Sequence, residues 1–450
     1  MAGVRAGEEV SAVTNQVRVL AGVVAALALA FLLVGCGGSN DAAAPSGPAD
    51  PTAATSEAIR FWEERVRRDP ADFIGYNKLA DAYIQRARQT GDVSDYSRAE
   101  AALKASLQSL PNDNYAAVAR LASVYATKHQ FGDALEAARQ AIATDPSEPF
   151  GYAVMGDALL ALGRYDDADN AYLRANTMAP GLSSFSRLAY LLELRGDLKG
   201  AEAQWQNALE TDNGRRPEDT AWARVQVGDF YFSRGDLDAA QREYQQSVDV
   251  FPDFVHALAG LAKVRAVKDD YDDAASLYSR VVARYPAPEY VAALGDVYHA
   301  AGRDAEAARQ YGLVDAIDRL YKANGVNTDL QMALYFADHD VNLEEALRQA
   351  RDVYAQRPSI QAADAFAWAL YKSGRYQEAL DYSDQALRLG TQDASMFFHG
   401  GMIHYRLGQY QEARSYLQKA VAINPRFSVL FSQTAADTLH ELQAQVGGQP

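Results

Sequence analysis

Apolar residues along most of this chain fall on paired helical stripes separated by short polar breaks. Between residues 150 and 180, Tyr152, Met155, Gly156 and Leu159 stand at i, i+3, i+4 and i+7, one face of a helix. Gly163 interrupts that helix. Ala168, Tyr172 and Ala175 mark a second one, and Pro180 closes the unit. Small residues at Gly156 and Ala168 let two antiparallel helices approach, while large side chains fill the space around them. Prolines stand at 70, 111, 146, 180, 252, 286, 358 and 425, and the gaps 111–146, 146–180 and 252–286 measure 35, 34 and 34 residues. A fixed period of this length predicts a solenoid of stacked helix pairs.

The same frame recurs along the chain. Leu121-Ala122, Tyr125, Ala134, Ala141 and Pro146 form one copy, and Leu188-Ala189, Leu192, Ala201, Trp205 and Ala208 another. Val227-Gly228, Tyr231, Ala240, Tyr244 and Pro252 follow. Then come Leu261-Ala262, Ala274, Tyr278 and Pro286, and Leu294-Gly295, Tyr298, Ala307 and Tyr311. Later copies carry Phe366-Ala367, Leu370, Gly374 and Ala379, then Gly401, Gly408, Ala413, Ala420 and Pro425. A large residue, then Leu-Gly or Leu-Ala, then Tyr, Ala, Tyr, Ala and Pro at fixed places resembles the tetratricopeptide repeat, over about 350 residues. The resemblance implies an all-α fold: a right-handed α-solenoid of about ten helix-turn-helix repeats.

Two copies depart from the frame. The first (Tyr76, Leu79-Ala80, Tyr83, Ala99, Leu103, Pro111) carries about seven extra residues around Thr90-Gly91-Asp92. The copy from Leu330 to Pro358 has Ala333-Leu334 where large-then-small is expected. It follows a stretch, Asp315 to Asn324, that reads as a lengthened second helix closed by Asn324-Gly325. Ala58, Trp62 and Pro70 look like half a repeat capping the front. Val429 to Gln445 reads as an amphipathic helix covering the apolar face of the last repeat.

The first forty residues follow different rules. Val19 to Val34 is an apolar run behind Arg18, short for a membrane span. It ends in Leu33-Val34-Gly35-Cys36. A positive flank, an apolar core and small residues at a cut site predict a secretory signal peptide. The last four residues resemble the lipobox of bacterial lipoproteins. That resemblance implies cleavage before Cys36 and its acylation, with palmitate-type chains holding the protein to a membrane. Residues 1–35 are then the signal, 36–56 a flexible Gly/Ser/Ala/Pro tether, 57–428 the solenoid and 429–450 a capping helix and tail. A tether of about 20 residues spans roughly 25 Å.

Composition narrows the function. Hydrophobic residues make up 48% of 450, ample for a core, and the net charge is −16. So acidic a surface repels phosphate backbones, which excludes nucleic acid as an expected partner. Cys36 is the only cysteine, so no internal disulfide can form. Catalytic and phosphate-loop motifs are missing, so neither enzyme activity, cofactor, metal nor small-molecule substrate is expected. His399 and His404 are five residues apart, off a common helix face. Asp338-His339-Asp340 reads as a polar turn. Arg-Gly-Asp occurs at 195–197 and 234–236. Both copies occupy the turn between the two helices of a repeat, where glycine is needed past a helix end.

In the family that this chain resembles, the first helix of each repeat lines a concave groove through the second, fifth, ninth and twelfth positions. Asp81, Asp157, Asp229 and Asp296 all fall at the ninth, an acidic column that either is solvated or attracts a basic partner. Trp368, Tyr371, Phe398, Met402 and Tyr405 map to inner positions of the last two repeats. They are either binding anchors or buried by the capping helix. Trp222 and Phe232 form a smaller candidate patch. Lys263 is the one basic inner residue, so the clamp that some members use for peptide carboxyl ends is absent.

The expected function is a non-catalytic protein–protein interaction scaffold. It would be lipid-anchored through Cys36 on the outer side of the cytoplasmic membrane, or in an outer membrane. It would bind an envelope protein, as a peptide or helix, for assembly or secretion. The alternatives are a spacer with no groove ligand, or an enzyme built on the irregular segment 312–345. Cys36→Ser should leave the chain unlipidated and largely unprocessed. Mass spectrometry and membrane fractionation check this, and normal maturation with membrane retention would refute the lipobox reading.

Overall fold

Antiparallel helix pairs follow one another from residue 73 to residue 423. The structure is a computed structural model and describes residues 51–447; the signal segment, Cys36 and most of the expected tether lie outside them. Helix α1 (Pro51–Arg68) stands alone at the front. The first five pairs are α2 (Phe73–Thr90) with α3 (Ser94–Ser109), α4 (Tyr115–Thr127) with α5 (Phe131–Thr144), α6 (Pro149–Ala161) with α7 (Tyr165–Met178), α8 (Leu182–Leu194) with α9 (Leu198–Glu210), and α10 (Pro217–Ser233) with α11 (Leu237–Val250). The next five are α12 (Val255–Val267) with α13 (Tyr271–Arg284), α14 (Pro288–Ala300) with α15 (Asp304–Ala323), α16 (Asp329–Asp338) with α17 (Leu343–Gln356), α18 (Ile360–Lys372) with α19 (Tyr376–Ala386), and α20 (Ala394–Arg406) with α21 (Tyr410–Ile423). Helix α22 (Ser432–Gly447) closes the array, and the described residues contain no strand. Ten pairs match the expected repeat number.

The boundaries shift slightly. Residues 51–56, expected in the tether, are helical in α1, which runs through the Ala, Thr, Ser and Glu of 53 to 57. The final helix starts at Ser432, three residues after Val429. Residues in excess of the period go into helix length. Helix α2 has 18 residues and is closed by Gly91 at φ 72°, α10 has 17, and α15 has 20 and is capped by Asn324.

Each pair is joined by a turn whose chemistry is local. In both Arg-Gly-Asp segments the glycine takes a positive φ, 74° at Gly196 and 77° at Gly235. The aspartate that follows caps the next helix. Asp197 accepts from the Gly200 amide and Asp236 from the Ala239 amide, both at 2.9 Å. Within pairs, a tyrosine ring of the second helix lies against a glycine of the first. A Cβ on Gly228 would come within 2.5 Å of the Tyr244 ring, and Gly156 and Gly295 meet Tyr172 and Tyr311 in the same way.

The superhelix is tight enough for its second turn to rest on its first. The Ile360 amide donates to Tyr165 Oη at 2.8 Å, across 195 residues, and Asn424 Nδ2 donates to the Phe232 carbonyl at 2.8 Å, across 192. The Asn327 amide reaches the Lys128 carbonyl at 3.0 Å, and the Thr391 hydroxyl donates to the Leu194 carbonyl. One superhelical turn therefore takes between five and six repeats. Apolar packing follows the same seam. Ile360, Ala363, Ala386 and Met396 share a cluster with Leu159, Leu160, Tyr165 and Leu191. Tyr96 and Leu103 share one with Val291, Tyr321 and Met332. Helix α6 is accordingly apolar on nearly every side, as a helix enclosed all round must be.

The turn glycines register this seam. Gly163, at φ 76°, has the Pro358 carbonyl oxygen 2.6 Å from where a Cβ would stand, whereas Gly408, at φ 75°, faces open space. Both place an alanine Cβ in the strained left-handed region, at a similar cost of about 1–2 kcal/mol. Gly163→Ala should cost about 1–3 kcal/mol more than Gly408→Ala, because only the former forces the two superhelical turns apart. Urea denaturation checks this, and equal losses would mean that the turns do not touch in solution.

Candidate functional site

Each carboxylate of the acidic column at the ninth positions is paired within the chain. Asp157 accepts from Tyr172 Oη at 3.0 Å and from Arg187 Nε and Nη2 at 2.8 and 2.9 Å. Asp229 accepts from Tyr244 Oη at 2.7 Å and from Lys263 Nζ at 2.6 Å. Asp296 accepts from Tyr311 Oη at 2.8 Å and pairs with His339 Nε2 at 2.7 Å. In all three the tyrosine follows the aspartate by fifteen residues and comes from the partner helix of the same pair. The cation comes from the next repeat. Asp81 has the cation without the tyrosine bond: Arg120 Nε lies at 2.5 Å and Nη2 at 3.1 Å. Burial pushes the Asp157 carboxyl up against the pull of Arg187. Burial pushes the His339 imidazole down, but the Asp296 carboxylate overrides it and leaves the pKa raised.

The C-terminal aromatics resolve toward burial. Trp368 and Phe398 are 2% and 1% exposed and so are not available as groove anchors. The reason is the segment after Pro425. Phe431 stacks on Phe398 at 5.3 Å and meets the Trp368 ring edge-on at 5.8 Å, while Phe427 approaches Phe398 at 5.5 Å. Trp368 also stacks on Tyr371 and His399 and donates Nε1 to Asp338 at 2.8 Å. Tyr371, Met402 and Tyr405 are half-buried at the edge of this cluster, and Tyr405 reaches Glu441 of α22 at 3.3 Å. Phe232 is buried under Lys263, 4.3 Å from its ring centre, and Trp222 is half-buried at the edge of the same apolar cluster.

A cleft of about 480 Å³ opens on the concave side. Helix α2 contributes Asp81, Ile84, Gln85, Arg88 and Gln89; α4 contributes Arg120 and Ser123; α6 contributes Phe150. Arg215 to Asp219 and Phe251 complete the wall. The extra turn of α2 and the early start of α10 bring these helices together across the groove. Arg88 Nη2 meets Glu218 at 2.8 Å, and Gln85 Nε2 donates to the same carboxylate at 2.9 Å. Lys263 is therefore not the sole inner cation. Arg88 stands outside the inner positions read from the repeat because it lies past the twelfth, in the extra turn of α2. Arg120 and Arg187 each stand immediately before Leu-Ala, a shared signal for the aspartate's partner.

Burial, reinforced by Asp229 and Asp393, pushes Glu193 up to about 8, and burial raises Asp338 to about 6. His399 holds Asp364 at 2.9 Å, and no group of His, Cys, Asp and Glu among the described residues could hold a metal ion. Arg187→Met strands a fully buried carboxylate and should cost about 3–5 kcal/mol. Lys263→Met, whose partner Asp229 is 43% exposed, should cost less than about 1 kcal/mol. Equal losses in urea denaturation would refute this division.

The chain matches the family Tetratricopeptide repeat over residues 228–287, 265–319 and 365–426, and Tetratricopeptide repeat-like domain over residues 72–188. None of the curated proteins matches it. Among solved structures, a chain of the APC/C hetero-tetramer Cut9-Hcn1 is similar at 15% identity, with a TM-score of 0.38, covering 87% of this chain and 93% of that one. A tetratricopeptide repeat protein from Parabacteroides merdae is similar at 15% identity and a TM-score of 0.35, covering 58% and 98%. The P58(IPK) TPR domain is similar at 12% identity and a TM-score of 0.28, covering 88% and 96%. With family matches over more than half of its length, the chain belongs to the tetratricopeptide-repeat proteins, whose repeats serve as protein–protein interaction scaffolds.

Proposed function

We propose that this protein is a lipid-anchored, non-catalytic scaffold outside the cytoplasmic membrane that holds a segment of an envelope protein in the cleft between α2 and α10. The anchor rests on Leu33-Val34-Gly35-Cys36 behind an apolar run. The cleft reading is supported by one observation above all: the groove-side aromatics Trp368 and Phe398 are buried by the chain itself, whereas the mouth between α2 and α10 is open. Its lining is near charge balance, with Arg88, Arg120, Arg215 and Arg216 against Asp81, Glu218 and Asp219, in a chain of net charge −16. Such a wall suits a segment carrying both signs.

The filled groove also favours a second reading, a spacer whose repeats set a distance and bind nothing. Photo-cross-linkers at Gln85 and Arg215 separate the two in intact cells, with Leu173 on the exposed side of α7 as control. A protein adduct should form at 85 and 215 and not at 173, and Arg215→Glu should weaken the adduct at 85. Identical adducts at all three positions, or none at 85 and 215, would leave the spacer.

A further inference from the structure

Three arginines of the second superhelical turn stand at the seam. Arg388 donates to the Gln385 and Pro358 carbonyls at 2.7 and 2.6 Å. Arg426 donates to the Val267 carbonyl and pairs with Asp269 at 3.0 Å. Arg357 does neither. Its guanidinium lies over the Phe131 ring, 5.1 Å from the centre, and its Nη2 is enclosed without a hydrogen-bond partner. Asp329 is the carboxylate that acts on it, and Lys322 already holds Asp329 at 3.0 Å. Burial holds the pKa of Arg357 down to about 10, as for a cation short of countercharge.

The half-buried side chain lines an open cleft of about 650 Å³ between the start of α5 and the α15–α17 segment. The other charges there are accounted for. Lys322 pairs with Asp318 and Asp329, and Arg348 with Glu345 and Asp352. His129 is set against the Asn327 carbonyl at 2.7 Å, and burial, with Arg357 beside it, lowers its pKa to about 4, so it is neutral. Asp133 sits exposed at the rim.

We propose that this seam cleft is a carboxylate-binding site, in which Arg357 takes a chain terminus or an acidic side chain of a partner. With its face on the Phe131 ring and its Nη2 enclosed, the guanidinium offers the cleft its remaining N–H groups as charge-assisted donors to a carboxylate. Much of its desolvation has already occurred on folding, so a bound anion gains countercharge at reduced further cost. Asp133 and Asp329 oppose a doubly charged phosphate more than a singly charged carboxylate. The site is distinct from the α2–α10 cleft and stands whether or not that cleft holds a partner.

The test is a melting curve of the full chain at fixed ionic strength with N-acetylglycine, with N-acetylglycinamide, which lacks the carboxylate, and with inorganic phosphate. A saturable rise with N-acetylglycine alone, absent from Arg357→Gln, is expected. An equal response to the amide, a larger response to phosphate, or the same response from the variant would overturn the assignment. If Arg357→Gln does not fold, ¹⁵N-arginine-labelled wild-type protein decides. The Arg357 Nε–H resonance, assigned through Arg357→Lys, should move with N-acetylglycine; a spectrum that does not change would overturn the site.

Discussion

In three of the ten pairs a tyrosine of the second helix lies against a glycine of the first, and its hydroxyl reaches the aspartate one residue further on. The glycine sets the distance between the helices, because no side chain is there to hold the ring off. The hydrogen bond sets their rotation. The aspartate's remaining oxygen capacity then takes a cation from the following repeat, so the contact that fixes one pair also fixes its angle to the next. Small changes in that angle accumulate along a stack. The coil that results is tight enough to bring repeats five to six apart into contact.

That closure changes what the groove is. Side chains that an open coil would present to a ligand are spent on the chain's own second turn or on the segment after Pro425. Two open clefts among the described residues lie where the regular pattern is broken: the mouth formed by the lengthened α2 and the early α10, and the seam beside the lengthened α15.

How much of this could be read from residues alone follows from what each contact is made of. The helix pairs were legible because close approach demands Gly156, Gly228 and Gly295 at one spacing and Tyr172, Tyr244 and Tyr311 at another. The turns were legible because Gly196 and Gly235 occupy a conformation that other residues avoid. The seam was not, since it is made largely with backbone carbonyls, those of Lys128, Leu194, Phe232 and Pro358, which every residue carries. Trp368 and Phe398 were legible as large side chains of the first helices of the last two pairs. Their burial depends on Phe427 and Phe431, which belong to no repeat. The acidic column was visible as charge. Its role depended on Arg120 and Arg187, which enter from a position outside the family's groove set.

Solenoids usually behave as linear arrays, in which each unit feels only its neighbours and the ends fray first. Contacts spanning 195 residues remove that property. The pair α2–α3 shares its core with α14–α16, so the front of the array cannot peel away without stripping the middle. The cost is kinetic. Loops of this length must close before the seam contributes anything, which delays folding relative to an array of purely local contacts. In return the molecule loses its weak ends, and unfolding becomes cooperative between units far apart along the chain.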